Sequence, residues 1–501
     1  IVSRAVQLKN ALTPMVVTVC GRLIFFSALL GVLQLDVAAI LAFGHGKPAR
    51  RRPRINILSM SNVDVVAKHR YMEPKRSVSD MAFVDSLYRR MEAPQDSISS
   101  ATLSWDMMFK DSLLQEWIRA GLDFNTDLNV ARLRIEEAEA SLLAARWALL
   151  PGASFSAQGG LPGSFTAKAD ASWQADIFGA LRNSKRKAEA ALEQSKAYRQ
   201  AVQTKLIATI ANSYYTLLML DEQLSISQRT LATWEENIRT LEALKRAGKT
   251  NEAAVLQAKA NKLDVEASVL TLQREILAVE NSFCALLSLV PMPVERGTLS
   301  EQSFPESLSA GIPVDLLNRR PDVRQAEMAL AQAFYSVNAA KAAFYPDLTL
   351  SGALGWTTGN GSISLNPGSL ITNLIASLAQ PIFAKGTNKA RLKAAKAQLE
   401  AAAWQFRQSI LDAGVEVNNA LVMWQTAQKR VELDKKQILN LQASVWNTQL
   451  LMKHGNANYL EVLTAQKNLL NAELSEVSDR FDEVQGIINL YQALGGGYET
   501  K

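Results

Sequence analysis

Cysteine and histidine, which proteins often use as nucleophiles, general bases and metal ligands, are scarce in this sequence. The 501 residues include two cysteines and three histidines, and no two of the five are spaced like metal ligands: Cys20, Cys284, His45, His69 and His454. The sequence also lacks the GxSxG, GxxxxGK[ST] and HExxH motifs. We therefore predict no enzymatic activity, no metal site and no cofactor.

Polar side chains alternate with apolar ones along FTAKADASWQADIF, residues 165–178. The polar row occupies the even positions: Thr166, Lys168, Asp170, Ser172 and Gln174. Phe165 and Trp173 lie among the apolar odd positions. A period of two predicts a β-strand with one polar and one apolar face. The flanking sequence is rich in Ala, Leu, Glu, Lys and Gln and reads as helix, so this strand must be positioned by long helices.

The charge of the chain is concentrated at its N-terminal end. Residues 1–76 hold 12 Lys or Arg against 3 Asp or Glu, although the whole chain has a formal charge of only +6. The remainder is therefore slightly acidic, and its basic residues are scattered. No basic face with interleaved aromatic residues is present in the sequence, so we predict no binding to nucleic acid.

The first 76 residues form an atypical N-terminal or targeting segment. Residues 15–43 are largely apolar and follow two basic residues, which resembles a signal sequence or a membrane segment. Asp36 interrupts this stretch, and the basic run PARRRPR follows it. Two interpretations stay open: a genuine export signal, or upstream sequence that is not part of the native protein. Residues 77–104 are predicted to be an extended N-terminal segment.

The rest of the chain is a tandem duplication with an offset of about 200 residues. Residues 125–160 align with 320–355, and GKTNEAAVLQAKAN at 248–261 aligns with GNANYLEVLTAQKN at 455–468. We place the first repeat at 105–291, a linker at 292–312 and the second repeat at 313–497.

Each repeat has the same predicted order of elements. A helix ends at Pro151 or Pro346, because proline cannot continue it. Two strands follow, at about 152–160 and 165–177 in the first repeat and at about 347–357 and 373–383 in the second. A long helix comes next, about 180–247 or 387–454, and then a return helix at 251–290 or 458–493. Between Leu392 and Val431 apolar residues recur at a mean spacing near 3.5, which is a coiled-coil seam.

Four strands are too few to close a barrel, since about eight is the practical minimum. Their apolar face could pack on a helix of a soluble domain. Alternatively, several chains could pool their strands into one barrel with lipid outside and water inside, and Phe165, Trp173 and Trp356 would then suit its lipid face. The long helices, which leave the sheet on one side, favour a tube that stands on a membrane.

Several blocks of the sequence resemble the outer-membrane factor family. They are LSWDMMFKDSLLQEWIRAGLDFNTDLNVARLRIEEAEASL (103–142), NRRPDVRQAEMALAQAFYSVNAAKAAFYPDLTLSG (318–352), QPIFAKG (380–386) and GNANYLEVLTAQKNLLNAE (455–473). Together they look like the TolC-like channels, in particular the OprM/NodT branch of efflux outer-membrane lipoproteins. The resemblance covers about 100–497.

The resemblance implies a mainly α fold with a small membrane β-barrel: a homotrimer whose four strands per chain form a 12-stranded barrel on an α-helical barrel. It implies a multidrug-type efflux channel in the outer membrane that extends into the periplasm. Its partners would be a periplasmic adaptor, an inner-membrane pump of the RND type and outer-membrane lipid. Members of the branch are commonly lipidated at an N-terminal cysteine, but Cys20 lies in a poor lipobox.

The resemblance also assigns candidate site residues. The periplasmic tips, which would contact the adaptor, correspond to Gly248, Lys249, Thr250, Gly455, Asn456 and Ala457. Glu461 matches an acidic position of the narrow aperture, and Thr464 replaces a second acid found in some members. In a barrel of this kind, the polar face of the strand would line the lumen with Thr166, Lys168, Asp170, Ser172 and Gln174.

A soluble coiled-coil structural or tethering protein is the alternative prediction. It would need no signal sequence, but it explains neither the paired hairpins nor the repeated order of proline, strand and glycine. The sequence does not indicate which substrate is exported.

Overall fold

The computed structural model describes residues 104–160, 164–302, 304, 320–358, 370–379, 385–454 and 458–496. The helices in these ranges are α1 (Trp105–Met108), α2 (Ser112–Phe124), α3 (Thr126–Trp147), α4 (Ala180–Arg246), α5 (Glu252–Leu286), α6 (Pro321–Ala342), α7 (Thr387–Lys453) and α8 (Tyr459–Ala493). The strands are β1 (Gly152–Gly160), β2 (Ser164–Ala175), β3 (Asp347–Thr358) and β4 (Leu370–Ala379). The predicted segment 1–76, the predicted segment 77–104 except its last residue, and residues 303 and 305–312 of the linker lie outside the described residues.

The two halves of the chain contain helices of equal length in the same order. The helix before each pair of strands has 22 residues, the long helix after it 67 and the return helix 35. A helix of 67 residues is about 100 Å long at 1.5 Å per residue. The order helix, two strands, long helix, return helix is therefore built twice, with each pair of strands carried on a helical hairpin.

Each long helix begins at a glycine in the left-handed region. Gly179 and Gly386 precede α4 and α7 with φ angles of 79° and 78°. Before α4, the carboxylate of Asp176 accepts hydrogen bonds from the backbone N–H groups of Leu181 (3.0 Å) and Arg182 (2.9 Å). An acidic side chain at this position satisfies free donors of the first turn and complements the helix dipole.

The four strands form one antiparallel sheet in the order β1-β2-β3-β4. The second strand was expected at 165–177 and ends at Ala175, because Asp176 turns away to cap α4. The fourth was expected at 373–383 and occupies 370–379, where Leu378 pairs with Leu348 and Leu374 with Gly352. Residues 380–383 of the expected strand lie outside the described part.

The coiled-coil seam predicted along α7 is confirmed as a buried stripe. Its buried members are Ala395, Leu399, Ala402, Ala413, Val417, Ala420, Trp424, Ala427 and Val431. α7 packs along α8, and α4 packs against α5, α6 and α8. The largest apolar core lies where α2, the middle of α4 and the end of α8 meet, and Ile207, Tyr214 and Tyr491 are fully enclosed there.

Arg320 of the RRPDV motif joins the second repeat to this core. Its guanidinium is buried and donates to the main-chain oxygen of Ala493 at the end of α8 (2.5 Å) and to carboxylates of Asp322 and Glu416 (2.6 Å each). Pro321 occupies the first turn of α6 with Asp322, as the sequence predicts for a helix start. The role of Arg320 follows only from the tertiary contacts.

Among the helices of the described ranges, none is both long enough and apolar enough to cross a bilayer.

Candidate channel wall and tip sites

The sheet register brings the predicted lumen residues onto one face. Successive even positions of β2 pair with small or polar residues of the neighbouring strands: Lys168 with Ser156 and Gly355, Asp170 with Ser154 and Ala353, Ser172 with Ser351, and Gln174 with Thr349. The ammonium of Lys168 lies 3.3 Å from the Asp170 carboxylate. Over β1, β2 and β3 this face is therefore polar with its charges balanced locally, which suits a water-filled passage of low selectivity. On β4, Ile375 pairs with Ser351 and adds an exposed apolar side chain to the same face.

The opposite face of the sheet is apolar, and no other described part of the chain covers it. Its large side chains are exposed: Phe155, Phe165, Trp173, Leu350, Leu354, Leu374 and Leu378. An apolar patch of this size is unusual on a soluble monomer and marks a contact with lipid or protein. Phe165 and Trp173 were predicted from the sequence as residues of the lipid face, whereas Phe155 and the leucines of β4 were not. Leu374 and Leu378 lie within the expected strand 373–383 and, at a spacing of four, share one of its faces, so the sequence did contain this signal.

Trp173 ties the apolar face to the helical part of the chain. Its indole N–H donates to the main-chain oxygen of Leu149, just after α3, at 3.0 Å. An amphipathic ring with its polar edge turned to the helix end matches the interfacial position that tryptophan favours. Trp356 pairs with Ala167 in the register, and its side chain lies outside the described atoms.

The first tip is a tight turn between α4 and α5. Gly248 has φ = 71°, and its N–H and that of Lys249 donate to the oxygens of Lys245 (3.0 Å) and Leu244 (2.9 Å). This is a Schellman motif, which requires a left-handed residue and so favours glycine. Asn251 then caps α5 by accepting from Ala254 N–H at 3.0 Å. The tip is exposed to solvent, and so is the side chain of Lys249.

A salt bridge closes the base of this tip. Lys245 in the last turn of α4 pairs with Glu252 in the first turn of α5. Further along the hairpin, Lys259 pairs with Glu242 at 2.7 Å and Lys262 with Glu235 at 3.1 Å. These pairs are partly exposed and each contributes little to stability, but together they favour one register of the two helices.

The second tip is described only from Asn458 onward. Gly455, Asn456 and Ala457 lie outside the described residues. Glu461 and Thr464 are one turn apart on the exposed side of α8, while Val462 and Leu463 between them are buried. The structure therefore places both aperture candidates on the same exposed face, free of the core of their own chain.

Two helices of the series α5–α4–α8–α7 carry unpartnered apolar stripes. On α5, Leu256, Leu263, Leu270 and Leu277 recur at intervals of seven and are 57–67% exposed. On α7, the exposed set is Val415, Val422, Leu433, Leu439 and Trp446. A seven-residue leucine repeat is a coiled-coil seam that needs a partner helix. The buried seam of α7 was predicted from the sequence, whereas the exposed leucine stripe of α5 was not.

In the described ranges, no cluster of three or more His, Cys, Asp or Glu side chains could hold a metal ion. The described residues together have the geometry of a wall: a two-faced sheet, two helices with exposed apolar edges and the tip between α4 and α5. Such an arrangement defines the subunit of an outer-membrane channel.

Comparison with known proteins identifies the family. The model of the outer membrane efflux protein family matches residues 117–288 and 312–496, and the chain belongs to this family. The chain is 29% identical to the cation efflux system protein CusC of Escherichia coli over 79% of its own length and 88% of CusC. It is 27% identical to the antibiotic efflux pump outer membrane protein ArpC of Pseudomonas putida, over 80% and 86%.

The fold agrees with a solved channel. The open state of the MtrE outer membrane channel of Neisseria gonorrhoeae superposes with a TM-score of 0.74 at 31% identity, covering 81% of this chain and 94% of MtrE. The predicted family, the mainly α fold with a small sheet, the efflux-channel function and the outer-membrane location are confirmed. The soluble tether is set aside.

Proposed function

We propose that three copies of this chain form one passive tube through which an efflux system discharges its substrate. The observation that carries this proposal is the order of the sheet. β1 and β4 lie at its two edges and run in opposite directions, so β4 of one copy can pair with β1 of the next in the antiparallel sense. Repetition of this contact closes a barrel without a free edge.

The number three follows from the size of the passage. Two copies would supply eight strands, and the interior of an eight-stranded barrel is filled by side chains or holds one small ligand. Three copies supply twelve strands, the next multiple of four, and leave room for water between polar faces. Lys168 and Asp170 would line this lumen with Thr166, Ser172 and Gln174, and Phe165, Trp173 and Trp356 would face lipid.

The helices support the same closure. The exposed leucine stripe of α5 lies at one end of the series α5–α4–α8–α7, and the exposed apolar side chains of α7 lie at the other. In a closed ring, α5 of one copy packs against α7 of its neighbour. Three copies then give a wall of twelve long helices below the barrel.

The tips contact a periplasmic adaptor, and an inner-membrane pump supplies the energy for export. Lys249 and Thr250 of the first tip are exposed or nearly so, and Gly248 gives the turn its shape. Gly455, Asn456 and Ala457 complete the docking surface in the second repeat. Glu461 and Thr464, next to the second tip, line the aperture that docking opens.

The tube performs no chemistry on its cargo, and the pump selects the substrate. Similar proteins serve the efflux of cations in one case and of antibiotics in another. A shared wall with balanced charges fits both uses.

The mass of the purified particle tests the proposal. The outer-membrane fraction is washed with carbonate and solubilised in detergent, and the protein mass is measured after subtraction of detergent. We expect three chains of 54.9 kDa each. A monomer or dimer that retains the native helix content would overturn the closed tube.

A further inference from the structure

A cavity of about 660 Å³, open to solvent and lined by both polar and apolar side chains, lies between the two helical hairpins, away from the sheet and the tips. α4 and α5 line it with uncharged residues, among them Gln223, Ser227, Ser268 and Thr271. α7 contributes Arg430, and α8 contributes Asp479 among smaller polar residues. The cavity gives water access to a point where α7 and α8 pack together.

Asp479 is unusual for its burial. Its side chain is only 3% exposed, although aspartate is rarely buried unless it is paired. The guanidinium of Arg430 on α7 lies 2.7 Å from one of its oxygens. Asp434, one turn beyond Arg430, lies within hydrogen-bond reach of the Asp479 side chain. The Oδ2 atom of Asp434 is buried and accepts no hydrogen bond from the described residues.

The charges at this point do not balance when both carboxylates are ionised. The Arg430 guanidinium pairs with Asp479, and Asp434 and Asp482 bring two further negative charges close to the Asp479 carboxylate. The residues that α4 and α5 present to the cavity are uncharged. A proton bound between Asp434 and Asp479 restores the balance and supplies the donor that Oδ2 lacks, as in carboxyl pairs that share one proton.

We propose that Asp434 and Asp479 form a proton latch, in which one shared proton fastens α7 to α8 beside the cavity between the hairpins. Binding of the proton makes a carboxyl–carboxylate hydrogen bond across the two helices, and Arg430 neutralises the remaining charge. Loss of the proton to water in the cavity leaves two repelling carboxylates. The α7–α8 hairpin, which ends at the second tip, is then held less firmly.

The pH window of the latch follows from its protonation. Burial, followed by the hydrogen bond with Asp434, raises the pKa of Asp479 from 3.8 to about 6. The fastened state therefore binds its proton more tightly than the opened one. The bound proton stabilises the fastened state relative to the opened one fully below about pH 4. This stabilisation declines as the pH rises to about 6 and is lost above that value. Acidification fastens the helices.

Amide hydrogen exchange on the full-length protein in detergent tests the latch, because it reports on α7 around residue 434 without requiring conductance or a particular number of subunits. After correction for the intrinsic exchange rate, we expect the opening constant to rise by up to about tenfold per pH unit between about pH 4 and pH 6, and to level off above. A flat profile in the unmodified protein would overturn the proposal.

Three variants separate the latch from general acid effects. In Asp434→Asn, the amide donates to the Asp479 carboxylate and lowers its pKa, while burial still raises it, so we expect a smaller rise that levels off at a lower pH. Asp482→Asn, the matched control on α8, keeps the shared pair and should keep the rise. Arg430→Gln removes the positive charge that lowers the pKa of Asp479, so the window should extend to higher pH. Persistence of the full rise in Asp434→Asn, or an unmoved window in Arg430→Gln, contradicts the latch.

Discussion

At the scale of single residues, the close approach of β2 and β3 depends on one glycine. A Cβ atom placed on Gly355 would lie 2.5 Å from the main-chain oxygen of Ala167 and 2.7 Å from the Cβ of Lys168. Neither neighbour can move without moving the strand, because both are part of the β2 backbone or fixed directly to it. Gly355 thus sets the spacing of the strands beside the polar face, where Lys168 and Asp170 lie.

We expect Gly355→Ala to lower the stability of the sheet by about 1–3 kcal/mol, the usual cost of inserting a methyl group into a packed site. The measurement is the temperature at which the purified channel loses its native mobility in gel electrophoresis. Gly159→Ala in β1 is the matched control, since a Cβ there meets no atom within 4 Å. If Gly355→Ala and Gly159→Ala melted at the same temperature, β2 and β3 would be able to move apart around the added methyl group without loss of stability.

At the scale of elements, the long helices divide into those whose apolar seams are satisfied within the chain and those whose seams are not. α7 buries one seam against α8, where Val417 and Ala420 are enclosed. α5 rests on α4 with Ala254 and Ala258 buried, but its leucines at intervals of seven face away. A helix that exposes a regular leucine stripe has a second partner, and the proposed assembly supplies it.

Replacement of Leu263 and Leu270 together by glutamine should weaken each contact between subunits by about 3–6 kcal/mol, from 1.5–3 kcal/mol for each buried leucine. We expect the chain to remain helical and to shift from trimer to monomer in detergent, as measured by light scattering. Val290→Gln, which changes a similarly exposed apolar residue outside the stripe, should leave the trimer intact. A trimer that survives the double replacement would place the contact elsewhere.

At the scale of the whole molecule, a single chain forms one section of a channel wall and does not enclose a passage by itself. The sheet has two free edges, one face is apolar and uncovered, and both aperture candidates are exposed. Each of these features is costly for a soluble monomer and becomes favourable when copies close around water with lipid outside. Function in this molecule is a property of the assembly.

The carboxylate of Glu461 should influence which ions pass the assembled aperture. Three such carboxylates in one ring favour cations, so Glu461→Gln is expected to lower the cation-to-anion permeability ratio severalfold at low ionic strength and less at high salt. Single-channel recording of reversal potentials in a salt gradient measures the ratio. Glu295→Gln, an exposed acid far from the tip in sequence, serves as the control. An unchanged ratio in Glu461→Gln would remove Glu461 from the aperture.

The sequence alone was sufficient for the order and lengths of most elements. Period-two alternation located β2, and α4 ended within one residue of the position expected from the glycine at 248. The helices expected to end at the prolines at 151 and 346 ended four residues earlier, at Trp147 and Ala342. These signals are local, since each depends on backbone geometry or on side chains a few positions apart. The polar row of β2 could be predicted for the same reason, and so could the helix start at 320–322.

Tertiary structure decided what depends on partners distant in sequence. The register of β4 was fixed by its pairing with β3 and shifted the strand three residues from its expected start. The burial of Asp479 beside Asp434 and Arg430 joins positions about 45 residues apart on two helices, and no spacing rule reveals it. Which leucines of α5 stay exposed depends on the position of α4. Local sequence patterns determine the secondary structure of each segment. Long-range packing determines which of its faces are buried and which stay exposed for contact with lipid, water or other subunits.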